Sequence, residues 1–130
     1  MAVNIRRSVV DASFVLSFLL PDESTKEVTE VFLQFEQGKT ELISTKLLPF
    51  EVLNSLKSAI LGKRVTQETA EALIRVFLRY QIPLLDVDLK STLKQSIENN
   101  LSVYDACYLQ LARANNLSLL TLDKHLRKFI

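Results

Sequence analysis

The first third of this chain contains a run that is almost wholly apolar and carries one charge. In Ser8-Val9-Val10-Asp11-Ala12-Ser13-Phe14-Val15-Leu16-Ser17-Phe18-Leu19-Leu20, Asp11 is the only charged residue between Arg7 and Asp22. Asp22 and Glu23 end the run well short of the length needed to cross a membrane, so no transmembrane helix is expected. The start lacks a small-residue cleavage site after a short apolar stretch, so no signal peptide is expected either, and the expected location is the cytoplasm. Ser8 to Asp11 reads as a short buried strand and Phe14 to Leu20 as an apolar helix. An unpaired buried carboxylate costs several kcal/mol, so Asp11 needs a partner or a change of protonation state.

The same alternation continues along the chain. Ser24-Thr25-Lys26-Glu27 has capping-box spacing and precedes Val28, Val31, Phe32 and Phe35 at helical intervals, with Gly38 placed to end the helix. Glu41 to Ser44 reads as a second strand. Pro49 suits the first turn of a helix that runs to about Leu61 and stops at Gly62. Thr66 can cap a helix with Ala70, Leu73, Ile74, Phe77 and Leu78 on one face. That face reads as core, with Phe77 and Tyr80 also able to reach a partner subunit. Leu84 to Val87 reads as a third strand. Leu89, Leu93 and Ile97 suggest a short helix ending near Asn99-Asn100. Ser102 opens another helix, Leu119 to Leu122 reads as a fourth strand, and Asp123-Lys124-His125-Leu126-Arg127-Lys128 closes the chain. Strands alternating with helices imply an α/β fold with a parallel sheet covered on both faces. The 130 residues are expected to form one domain, residues 1–130.

Composition removes many chemistries. Cys107 and His125 are each the only residue of their kind, which excludes an internal disulfide and the multi-cysteine or two-histidine zinc motifs. Two glycines cannot build a phosphate-cradling loop. A net charge of +1 gives no strong overall field, so nucleic-acid binding must rest on a local patch. Lys124, Arg127 and Lys128, with Lys46 and Lys57, are candidates, although any single one reads more simply as a solvated surface charge. Asp22, Glu23, Asp86 and Asp88 read as turn or cap acids.

Carboxylate chemistry remains. Asp11 and Asp123 close predicted strands, at the edge where open parallel sheets bind ligands. Each also reads as a helix cap. Asp105, three residues after Ser102, occupies a capping-box position, yet it shares a helix face with Tyr108, Leu109 and Ala112. Glu51 lies on a stripe with Asn54, Ser55 and Ser58 that has no other charge. Two carboxylates ~5 Å apart repel by roughly 3 kcal/mol at an effective dielectric near 20. Such a group must hold protons or a cation, and oxygen donors without His or Cys favour Mg²⁺ or Mn²⁺.

Together these segments resemble the PIN-domain family and, within it, the VapC-type ribonuclease toxins. Val9-Val10-Asp11-Ala12-Ser13 is similar to the family's opening strand and first acid. Glu51-Val52-Leu53-Asn54-Ser55-Leu56 is similar to its second acid and the asparagine that follows. Ser102 to Ala112 carries the third acid as Asp105, and Leu120-Thr121-Leu122-Asp123 resembles the terminal Thr-x-Asp. The resemblance implies a three-layer α/β/α sandwich with a parallel sheet of four to five strands. Only Phe129 and Ile130 follow the basic tail, where family members often place a further strand. It implies one metal pocket lined by Asp11, Glu51, Asp105 and Asp123, filled by Mg²⁺ or Mn²⁺, with Ser13, Asn54 and Thr121 as supporting polar residues. It implies hydrolysis of RNA phosphodiester bonds, inhibition by an antitoxin protein, and a homodimer. The alternatives are a catalytically inactive binding module on the same fold, its acids serving as caps, and a phosphoacceptor receiver domain. The receiver reading fits poorly, because Asp11 lacks the adjacent second acid.

Overall fold

A computed structural model describes residues 5–130; residues 1–4, part of the expected domain span and the place where a leader would begin, lie outside the described residues. The chain runs β1 (Arg6–Val10), α1 (Ala12–Leu19), α2 (Lys26–Glu36), β2 (Thr40–Thr45), α3 (Leu48–Leu61), α4 (Gln67–Arg79), β3 (Leu84–Leu85), α5 (Leu89–Asn99), α6 (Val103–Ala114), β4 (Ser118–Leu120) and α7 (Lys124–Arg127). The strands form one parallel sheet in the order β3-β2-β1-β4. Helices cover both faces, which makes the expected α/β/α sandwich. Among the described residues the sheet has four strands, the lower end of the expected range.

Strand pleat sorts the core into two halves. Val9 pairs with Ile43 and with Leu119, and all three point to the face covered by α6, beside Tyr108, Leu109 and Leu126. Val10, Leu42 and Leu120 point the other way, toward Phe14, Phe32, Val52 and Leu56. On that side Phe18 stacks on Phe32 at 4.1 Å, and Tyr80 meets both rings edge-on. Tyr80 and Phe77 therefore pack, partly buried, against the chain's own core.

Most helix starts follow the capping signals. Thr66 accepts from the amide of Thr69, Asp88 from Ser91 and Ser102 from Asp105. The second helix is capped by Thr25, one residue later than the Ser24 frame predicts. Gly38 has φ +71°, a left-handed conformation that suits glycine just past a helix end. Asp22 and Glu23 both bind Arg64, at 2.9 and 2.5 Å, and Asp86 binds Lys46 at 2.9 Å.

Three elements depart from expectation, the first being the third strand, which ends at Leu85 instead of Val87. The fourth strand leaves the sheet at Leu120 instead of Leu122, because the Thr121 hydroxyl accepts from the Asp123 amide at 3.0 Å and turns the backbone away from the ladder. The helix at Leu89, Leu93 and Ile97 forms, but that apolar stripe faces outward. Instead α5 packs on α6 and buries Thr92, whose hydroxyl is satisfied by the Asp88 carbonyl at 2.7 Å.

Candidate functional site

In a sheet ordered 3-2-1-4 the chain leaves β1 toward β2 on one side and returns at β4 on the other. The crevice at the carboxyl ends of β1 and β4 is thus the switch point where such sheets bind ligands. Asp11 follows β1 directly, and Thr121 and Asp123 follow β4. Glu51 lies in the first turn of α3, which β2 feeds, and Asp105 lies in the first turn of α6. The fold therefore brings all four sequence-predicted acids to one end of the sheet.

Asp11 is 4 % exposed and, among the described residues, has no cationic partner; its carboxylate is held by hydrogen bonds. Oδ1 accepts from Ser13 Oγ at 2.7 Å and from the Phe14 amide at 3.0 Å, and Oδ2 accepts from the Thr121 hydroxyl. The Ser13 and Thr121 oxygens lie 3.3 Å apart. Each hydroxyl has one proton and gives it to Asp11, so this close approach is a by-product of a shared acceptor. Ser13 Oγ in turn accepts from the Leu122 amide at 2.9 Å. The two supporting hydroxyls thus clamp the carboxylate and lock the segment after β4 against the start of α1. Arg127 donates from Nε to the Thr121 carbonyl at 3.0 Å, bracing the same segment, and its remaining guanidinium N–H groups are exposed. Lys46, tied to Asp86, is engaged too, whereas Lys57, Lys124 and Lys128 are exposed.

Sequence reasoning missed one further residue. The hydroxyl of buried Tyr108 donates to Glu51 Oε1. Tyr108 lies one turn after Asp105 on α6, so a single helix supplies one acid and positions another. The signal was an aromatic residue with a polar tip, which seeks a partner wherever it is fully buried. Burial, followed by the Glu51 bond and charge, raises the Tyr108 pKa and keeps it a donor. Asn54 lies on the exposed wall beside Glu51, in a cleft of about 430 Å³ that Ser13 and Ser55 also line. Cys107 is buried, and His125 is exposed with Nε2 3.4 Å from the Asn100 carbonyl oxygen.

The cap and site readings hold together. Asp11 caps α1, and Asp123 caps α7 by accepting from the His125 amide at 2.8 Å on Oδ1. A cap uses one carboxylate oxygen and leaves capacity on the other. The electrostatics connect the acids in a ring. Burial pushes the Asp11 pKa up against the pull of its hydrogen bonds, and Asp123 adds to the rise. Glu51 is raised first by burial, then by Asp105 and Asp11, against the Tyr108 bond. Asp105 is raised by burial and by Asp123, with His125 opposing. Each carboxylate therefore repels the next around a closed circuit.

A hard divalent cation fits this donor set, which is all oxygen and short of positive charge. Among the described residues no group of three acids stands close enough to grip one ion as a preformed cage. That spacing suits an ion that keeps part of its water shell, as Mg²⁺ does, better than one needing an all-protein cage.

Comparison with known proteins agrees with the geometry. The family model described as PIN domain matches residues 8–129. A curated relative, Ribonuclease VapC3 of Pyrobaculum aerophilum, is 28% identical over 122 residues, covering 91% of this chain and 90% of the relative. Among solved structures, the crystal structure of PAE2754 from Pyrobaculum aerophilum superposes with a TM-score of 0.76 at 22% identity, covering 96% of this chain and 79% of that one. This last likeness concerns the fold alone.

Proposed function

This chain belongs to the PIN domain family, and from that premise we propose that it is a metal-dependent endoribonuclease, the toxin of a toxin–antitoxin pair. The observation that carries the reading is the ring of four acids, three of them with raised proton affinity, at the switch point of the sheet. A relative named as a ribonuclease, aligned over nine-tenths of the chain, supports RNA as the substrate.

Asp11, Glu51, Asp105 and Asp123 would hold Mg²⁺ or Mn²⁺. When bound, such an ion neutralises phosphate oxygens and makes water nucleophilic at neutral pH. The chain's own residues do the rest. Ser13 and Thr121 fix the Asp11 carboxylate, and Tyr108 fixes one oxygen of Glu51. Glu51, a half-buried carboxylate of raised proton affinity, would take up a proton released at the site. Lys124 and Lys128 stand just after Asp123 and can position RNA phosphates. This reading brings with it a cognate antitoxin, a homodimer, a single domain spanning 1–130 and a cytoplasmic location. Among the described residues no helix is long and apolar enough to cross a membrane.

A second reading, an inactive binding module, draws on the same site. The Asp11 carboxylate already accepts three hydrogen bonds, and among the described residues no group of three acids stands close enough to grip one ion. RNA cleavage separates the two. Native protein should cut RNA in Mg²⁺ or Mn²⁺ and stop in EDTA, and Asp11→Asn should be inactive. Undiminished cleavage by Asp11→Asn would remove the acid ring from the mechanism.

A further inference from the structure

Phe50 and Tyr104 are large aromatic side chains that the fold leaves in water. Phe50 is 71 % exposed and Tyr104 61 % exposed, on two different helices. Phe50 precedes Glu51 on α3, and Tyr104 precedes Asp105 on α6, so each aromatic is the chain neighbour of an acid of the ring. Both line the cleft of about 430 Å³ that contains Glu51, Ser13 and Asn54. Hydrophobic burial offers no account of two such rings in one open cleft of mixed lining, since neither is removed from water. A flat ligand with apolar faces and a polar edge accounts for both rings and for the amide and hydroxyl groups between them.

We propose that Phe50 and Tyr104 are the stacking residues of a nucleobase subsite that opens directly from the acid ring, with Asn54 and Ser55 facing the edge of the seated base. The proposal rests on the nuclease reading and adds to it where the substrate's base lies. A base on this platform is unstacked from its own strand and held on the α1, α3 and α6 side of the acids, next to the phosphate they would act on. Aromatic faces accept any base, whereas an asparagine amide offers one donor side and one acceptor side to the base edge. Phe50 and Tyr104 therefore supply affinity, and Asn54 supplies preference among bases.

The test uses a fluorescein-labelled single-stranded oligoribonucleotide of about eight nucleotides, within the span such grooves take up. An abasic oligomer of the same length and charge is the control. Binding is read by anisotropy in EDTA, and KM and kcat for cleavage are read in Mn²⁺. The native protein should prefer the base-bearing oligomer by roughly tenfold. Phe50→Ala, Phe50→Leu and Tyr104→Ala should each lose most of that preference and raise KM with little change in kcat, while Tyr104→Phe should retain it. Unaltered melting temperatures confirm that these exposed substitutions leave the fold intact. Cleavage with the preference unchanged in both alanine variants overturns the subsite and leaves the nuclease reading standing. Ring-dependent binding without any cleavage keeps the subsite and removes the nuclease reading. Loss of self-association in sedimentation, with RNA affinity unchanged, overturns the subsite and assigns the rings to a contact between copies of this chain.

Discussion

The hydroxyl of Thr121 donates to the carboxylate of Asp11, joining the residue after β4 to the residue after β1 across 110 positions of sequence. The same oxygen accepts the Asp123 amide, so one side chain holds the first acid, orients the last and ends the strand between them.

Thr121→Val keeps the shape and removes both roles. It leaves a buried carboxylate oxygen without its donor and the Asp123 amide without its acceptor. Such losses cost about 1–3 kcal/mol each when the groups stay buried. Urea unfolding should show a lower midpoint with an unchanged slope, and Thr121→Ser should recover most of the difference. A midpoint equal to native for the valine variant would show that water replaces the hydroxyl freely.

The raised pKa values of Asp11, Glu51 and Asp105 contribute a shared trend to the pH dependence of stability in the absence of metal. An unfolded carboxylate titrates near pH 4. Where the folded value is higher, the folded state binds protons more tightly. The stabilising contribution is then complete below about pH 4 and is lost as pH rises through the folded pKa. Glu51→Gln cannot ionise and escapes its share of this loss. In EDTA its melting temperature relative to native should climb between pH 4 and pH 7. A flat difference across that range would mean that Glu51 feels no net penalty from burial and from its neighbours Asp105 and Asp11.

Where the sequence was readable, it was readable through local physics. Asp11 stood out because a charge in an apolar run demands an explanation, and Ser102, Thr66 and Gly62 announced helix ends by their own chemistry. The failures involve contacts distant in sequence. The strand ends two residues before Leu122 in a local turn, Thr121 accepting from the Asp123 amide, but what holds that turn is the distant pair Asp11 and Ser13. Leu89, Leu93 and Ile97 have ideal helical spacing, but periodicity reports a face and not what covers it. The Tyr108–Glu51 bond links positions 57 apart, and only the packing of α6 and α3 on the sheet makes them neighbours.

That bond predicts a positioning role. Tyr108→Phe preserves the ring in a fully buried site and deletes the donor to Glu51 Oε1. The fold should survive with a loss on the order of 1 kcal/mol. The partners that orient metal-ligating groups typically govern affinity or activity by about 10–100-fold. The apparent Mn²⁺ concentration for half-maximal cleavage should rise within that range, and added Mn²⁺ should recover part of the rate. A fall in rate that Mn²⁺ does not touch would place the effect elsewhere.

The sharpest test of the acid ring is metal binding measured without substrate. A cation that binds only the folded chain stabilises it by mass action, about 2.7 kcal/mol at one hundred times the dissociation constant. At neutral pH, where the ring carries its unfavourable negative charge, millimolar Mg²⁺ or Mn²⁺ should raise the melting temperature, and EDTA should reverse the rise. At pH 4 protons compete with the ion for carboxylates whose proton affinity is raised, so the same concentration should do less. Glu51→Gln and Asp123→Asn should each shrink the neutral-pH shift. Equal shifts at both pH values, or in all variants, would mean that the stabilising ions bind surface charges and that the ring does not hold them.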